Sequence, residues 1–170
     1  GAGREDVDAL MLGTGRPFVI EVDDPHTRAV DPAQLEREIN AFAEGKVEVT
    51  DVSIPTYEMV ERVKEHDASK TYRMAVEFDA PVSEDTLQDA LDELRGATIT
   101  QRTPQRVDHR RADIDRTREV YDVEGELEDD THATIELHGE GGLYVKELVS
   151  GDEGRTEPSL AGLLETGAGV

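Results

Sequence analysis

The 170-residue chain contains no cysteine and no tryptophan. The first absence excludes disulfides, Cys-ligated zinc, iron–sulfur clusters and a thiol nucleophile. Aromatic residues make up only 4% of the chain, so a core must be built from Leu, Ile, Val and Ala. No apolar run approaches the roughly 20 residues that would span a bilayer, and no signal-peptide pattern is present. These absences predict a cytoplasmic protein. Lysine is also scarce. There are four, Lys46, Lys64, Lys70 and Lys146, against fourteen arginines and forty acidic residues, for a net charge of −22. A field of that sign repels phosphates in dilute salt. In molar salt the screening length falls to about 3 Å, so the composition predicts a halophilic, archaeal host rather than a protein closed to polyanions.

Apolar periodicity runs along most of the chain. It predicts strands at Val7–Leu12 and Arg16–Val22, joined through Gly13-Thr14-Gly15 as a hairpin. Asp31-Pro32 opens a helix carrying Leu35, Ile39 and Phe42 on one stripe, with Gly45 as its stop. A strand is expected at 47–54, a helix at 57–64 and a strand at 70–78. Ser83 caps a helix with Leu87, Leu91 and Leu94 inward, ended by Gly96. Strands at 97–103, 116–126 and 132–138 follow, then short helices at 143–149 and 160–164. The mixture predicts a single α+β domain, with a mixed but largely antiparallel sheet and flanking helices. The chain begins Gly1-Ala2-Gly3 without Met, and we read it as a portion of a longer protein.

Four segments carry candidate chemistry. Gly3-Arg4-Glu5-Asp6-Val7-Asp8 gathers three acids and an arginine. By itself any Asp here is one acid among forty, and Asp8 rivals Asp6. Lys70-Thr71-Tyr72-Arg73-Met74 places Tyr72 in a row with Met74, Val76 and Phe78 on one strand face, where it either packs the core or stacks on a base at its margin. Gly139 to Leu148 combines three glycines with Tyr144, Val145 and Lys146. It lacks the phosphate-loop spacing GxxxxGK[ST]. Residues 102–118 hold Arg102, Arg106, Arg110, Arg111, Arg116 and Arg118, either a phosphate-binding strip or a surface that pairs with its own Asp108, Asp113 and Asp115. His132, Glu136 and His138 could share a strand face but fit no familiar zinc spacing.

The segments GREDVDALMLGTGRPFVIEV (3–22), SKTYR (69–73), TPQR (103–106) and GGLYVKELVSGDEGRTEPS (141–159) resemble the archaeal and eukaryotic tRNA pseudouridine synthases that act on uridines 54 and 55 of the TΨC arm. The resemblance implies a pseudouridine-synthase-like fold and an isomerase that needs neither cofactor nor metal. It implies Asp6 as the nucleophile in a Gly-Arg-x-Asp motif. Tyr72, Tyr144, Val145 and Lys146 would be the substrate-binding residues. Val145 stands where the family often has Ile. Arg4, Lys70, Arg73, Arg102, Arg106, Arg110 and Arg111 are the candidate contacts to tRNA. Family members also carry a zinc-binding N-terminal RNA-binding domain and a C-terminal Leu in a closing strand, neither of which is in this sequence. A monomer is the default expectation. Two other functions remain open on the residues alone: a non-catalytic RNA-binding module using the 102–118 arginines, and a metal-dependent phosphodiesterase built on acids with His132 and His138.

Overall fold

The computed structural model describes residues 9–65 and 68–170, without the side chains of residues 64, 65 and 110. The chain divides into two compact units, Gly1–His66 and Asp67–Val170.

The first unit contains helices α1 (Pro32–Ala43) and α2 (Tyr57–Glu65). The Asp31 carboxylate accepts from the Ala33 and Gln34 backbone N–H groups, and Pro32 opens α1, as the sequence predicts. Among the described residues, which exclude Val7 and Asp8 of the first, the expected strands do not form. Residues 9–12 and 16–22 enter no ladder, although a turn is present at Gly13-Thr14. Alternation makes a strand only where a neighbouring strand accepts its backbone groups and a core takes its apolar face. Here Leu10 is 84% exposed, and Phe18, Ile20 and Val22 are exposed too. Phe42 lies on the expected stripe of α1 but is not buried, at 91% exposure.

Residues 47–54 also form no strand. The Asn40 amide on α1 takes the place of a neighbouring strand: it accepts from Val49 N–H at 2.8 Å and donates to Val49 C=O at 2.9 Å. The Glu36 carboxylate accepts from Val52 N–H at 3.0 Å. These side chains take the backbone groups of Val49 and the N–H of Val52, and Asp51 at φ +57° interrupts the run, so the segment joins no ladder.

The second unit is one antiparallel sheet of six strands in the order β5-β2-β3-β4-β1-β6. The strands are β1 (Lys70–Phe78), β2 (Thr98–Arg102), β3 (Asp115–Asp129), β4 (His132–Gly139), β5 (Thr156–Glu157) and β6 (Ala168–Gly169). Tyr72 pairs with Leu137, and Met74 with Ile135. One face of the pleat carries Met74, Val76 and Phe78 from β1, Val120 and Val123 from β3, and Ala133, Ile135 and Leu137 from β4, all buried. Helices α3 (Glu84–Leu94), α4 (Val145–Ser150) and α5 (Leu160–Leu164) complete this core with Leu87, Leu91, Leu94, Leu148, Val149 and Leu160. The expected cap is present, with Ser83 Oγ accepting from Thr86 N–H. Gly96 follows α3 with φ +72°.

Short α4 contacts both edge strands, β5 and β6. Six strands at about 4.8 Å spacing span roughly 24 Å, while a six-residue helix is about 9 Å long. The sheet therefore curls around the helix layer. Its other face is polar, with Arg73 and Glu77 of β1, Glu124, Glu126 and Glu128 of β3, and Thr134 and Glu136 of β4.

Leu91 has no exposed surface and lies at the centre of this core. Leu91→Ala is expected to destabilise the protein by about 2–5 kcal/mol, read as a lower midpoint in urea unfolding. Asp89→Ala on the exposed side of the same helix should shift that midpoint little.

Candidate functional site

Strand β4 ends at Gly139, whose Cα partner on β1 is Lys70. The turn that follows leads into α4, so Tyr72 and Tyr144 belong to the same end of the sheet. The glycines make that turn possible. A Cβ at Gly139 would lie 2.9 Å from the Leu143 side chain and 3.2 Å from Glu119 C=O, and Gly142 adopts φ +84° beneath the Arg118 guanidinium. Arg118 Nε donates to Gly141 C=O at 2.9 Å and fixes the turn from β3.

Tyr144 is the N-cap of α4, and its hydroxyl makes no cap bond. Its backbone is held from β2 instead. Gln101 Oε1 accepts from Tyr144 N–H, and Gln101 Nε2 donates to Tyr144 C=O, both at 2.9 Å. Glu147 is three residues further along α4 and is buried. Arg106 donates to both of its carboxylate oxygens, Nε to Oε1 at 2.5 Å and Nη2 to Oε2 at 3.3 Å. The Arg106 guanidinium carbon lies 6.0 Å from the Tyr144 ring centroid, at the outer range of a cation–π contact. Tyr144, Val145 and Lys146 are all half-buried. Tyr72 and Val145 both pack against the common core cluster. The geometry thus places Tyr72 and the 144–146 segment on one face of the sheet, around one core.

Asp6, its rival Asp8 and Arg4 lie outside the described residues. Of the other candidates, Lys70 is half-buried at the start of β1. Arg73 donates to Glu136 at 2.9 Å on the polar sheet face. Arg102 forms a bidentate pair with Asp113, and Arg155 reaches the same Asp113 at 3.0 Å. This pairing holds Asp113 below the ordinary carboxylate range, chiefly through the Arg102 hydrogen bond, and raises Arg102. Arg116 donates to Thr103 Oγ1, and Arg118 to backbone carbonyls. Arg111 is exposed, and Arg110 ends the six-residue 3-10 helix Gln105–Arg110. Much of the arginine strip is therefore committed to the protein's own acids and carbonyls.

His132 and His138 do share a face of β4. Six residues of strand, however, separate them by roughly 20 Å, too far to share one ion with bonds near 2 Å. Among the described residues no three His, Asp or Glu side chains cluster as metal ligands. His138 meets Tyr121 edge-on with centroids 5.2 Å apart. His132 Nδ1 lies 2.9 Å from Asp129 Oδ1.

The sequence reading did not single out Gln101 or Glu147. The signal for Glu147 is its place one helical turn after Tyr144, where a carboxylate can reach a cation that approaches the ring. Gln101 carries no local signal, because its partner lies 43 residues away.

Over residues 1–170 the sequence matches the family described as Pus10, C-terminal. The chain belongs to the Pus10 family. Among curated relatives, a tRNA pseudouridine synthase Pus10 of Halorubrum lacusprofundi is 66% identical over all 170 residues, which cover 40% of that protein. Those of Methanothrix thermoacetophila and Pyrococcus furiosus are 52% and 47% identical, with 100% and 96% of this chain aligned to 37% and 42% of their lengths. The chain thus spans about two fifths of the length of these relatives. A chain in a crystallised Cbf5-Nop10-Gar1 complex superposes with a TM-score of 0.51 and 26% identity, over 65% of this chain and 30% of that one. The α+β sheet with its helices is therefore shared beyond the Pus10 family.

The His132–Asp129 pair predicts a pH signature. The Asp129 hydrogen bond raises His132 above 6.5, and the His132 bond comes first among the causes that lower Asp129 to about 2. The stability carried by His132 is present below 6.5 and is lost as pH rises through its higher folded value. The part carried by Asp129 is present above 3.8 and is lost as pH falls toward about 2. NMR titration should find the His132 midpoint above 6.5, and Asp129→Asn should return it toward that value.

Proposed function

We propose that the full-length protein containing this chain is a tRNA pseudouridine synthase that isomerises uridines 54 and 55 in the TΨC arm, and that this chain supplies much of its catalytic domain. The observation that carries the reading is the end-to-end match to the Pus10 C-terminal family, with close relatives named tRNA pseudouridine synthase. The geometry supports it by bringing Tyr72 and the 144–146 segment to one face of one sheet.

The reaction breaks the bond between uracil N1 and the sugar carbon C1′, turns the base, and joins its C5 to the same carbon. The C5 proton is lost and N1 gains one, with no change of oxidation state, so no redox cofactor is required. Asp6 is the nucleophile, acting as a carboxylate at the sugar carbon. Lys146, two residues after Tyr144, is the proposed cation that favours the ionised form of that carboxylate. The target uridine leaves its stack, and Tyr72 and Tyr144 offer aromatic surfaces in exchange. Arg111 and Lys70, with Arg4, Arg73, Arg102, Arg106 and Arg110, are the proposed contacts to tRNA phosphates. Arg73, Arg102 and Arg106 must share or exchange their acidic partners to make them. At a net charge of −22, tRNA association is best supported in concentrated salt, which fits a halophilic archaeal cytoplasm.

The test is Asp6→Asn in the full-length protein. Pseudouridine formation in tRNA should fall by about four orders of magnitude or more, while tRNA binding by gel shift stays within about threefold. Wild-type turnover in this variant would end the assignment of Asp6. Unchanged tRNA binding with no pseudouridine formed by the wild-type protein would favour a non-catalytic RNA-binding module.

A further inference from the structure

We infer that Gln101 and Glu147 are positioning residues that fix Tyr144, one through its backbone and the other through its ring. This rests on the reading that Tyr144 contacts the uridine.

Gln101 is 1% exposed and is the fourth of the five residues of β2. A primary amide buried there costs free energy unless its donors and acceptor are matched, and a leucine would fill the space without that demand. The Gln101 amide meets it chiefly at Tyr144. Its oxygen accepts from Tyr144 N–H, and its nitrogen donates to Tyr144 C=O and, at 3.4 Å, to Thr156 Oγ1. Tyr144 is where the chain turns into α4, and no side chain caps that end. The clamp from β2 therefore sets both the start of the helix and the direction in which Tyr144 leaves the backbone.

Glu147 is 4% exposed and is the one charged side chain among the buried described residues. A buried carboxylate persists where a cation is paired to it. Arg106 supplies that pairing from the 3-10 turn after β2, donating to both oxygens. The same guanidinium lies 6.0 Å from the Tyr144 ring centroid. Glu147 thus holds the cation that covers the ring. Tyr144 is fixed at its backbone from β2 and at its ring through Arg106, so its aromatic surface is oriented before substrate arrives. Such preorganisation appears in the rate of the bound complex more than in affinity.

The experiment is a double-mutant cycle in the full-length enzyme, using single-turnover rates at saturating tRNA, with tRNA KM and melting temperature measured on each variant. Tyr144→Ala is expected to slow the reaction. Glu147→Gln, which keeps the shape but frees Arg106, should lower the rate about tenfold or more with KM within about threefold. In the Tyr144→Ala background, adding Glu147→Gln should change the rate by less than about twofold. Gln101→Leu fills the same space without the hydrogen bonds to Tyr144 and Thr156. It is the second variant, held to the same two outcomes should Glu147→Gln fail to fold.

A Tyr144→Ala enzyme at the wild-type rate would remove the underlying reading of Tyr144. A slow Tyr144→Ala enzyme would overturn the positioning role alone in either of two cases: both other variants run at the wild-type rate, or their losses multiply with that of Tyr144→Ala. A purely structural role would lower the melting temperature and give that multiplicative pattern.

Discussion

The pleat of β1, β3 and β4 directs alternate side chains to one side of the sheet, and Tyr72 and helix α4 lie on that side. Met74, Val76, Phe78, Ile135 and Leu137 make the sheet's half of the core, and α3, α4 and α5 complete it. Helix α4 is too short to be stable alone. It exists because Leu148 and Val149 are buried in the shared core and because β2 holds its N-cap residue, Tyr144. The apolar core thus fixes where the 144–146 segment lies, and the buried polar contacts fix how it is oriented.

The polar contacts at this site are sparse and well satisfied. Among the described residues, no buried side-chain nitrogen or oxygen lacks a hydrogen-bond partner. Gln101 and Glu147 are therefore retained at buried positions with their bonding capacity directed at Tyr144 and Arg106. Unmatched, either group would destabilise the fold. Matched, they give a short helix one position and one direction. The exposed arginine–aspartate pairs around Asp113 do a different job. They neutralise local charge on a strongly acidic surface and contribute little to stability individually.

The second unit was largely legible in the sequence. The row Tyr72, Met74, Val76, Phe78 and the stripe Leu87, Leu91, Leu94 each put several apolar side chains in phase, and a core received them. The first unit was less so. The runs 9–12, 16–22 and 47–54 alternate as strands do, yet a strand requires a partner for its N–H and C=O groups, and alternation does not supply one. At Val49 the partner is the Asn40 amide. Phe42 falls on the right stripe of α1, but no core lies against it. At the site, Tyr72, Tyr144 and Lys146 stood out through their motifs. Gln101 did not, because a glutamine in a strand looks the same whether it faces water or a backbone 43 residues away.

By itself the sequence determined the α+β class, the phases of the β1 and α3 faces, the caps at Asp31 and Ser83, and membership in the Pus10 family. Each of these depends on residues close together or on a long run of them, where local sterics and periodicity suffice. Tertiary structure alone decided that β2 lies against Tyr144, that Arg106 is shared between Glu147 and the Tyr144 ring, and that many of the 102–118 arginines turn inward to the protein's own acids and carbonyls. Those outcomes depend on which distant groups become neighbours once the sheet has curled, and a hydrogen bond or ion pair is decided by separations of tenths of an ångström that residue spacing along the chain does not encode.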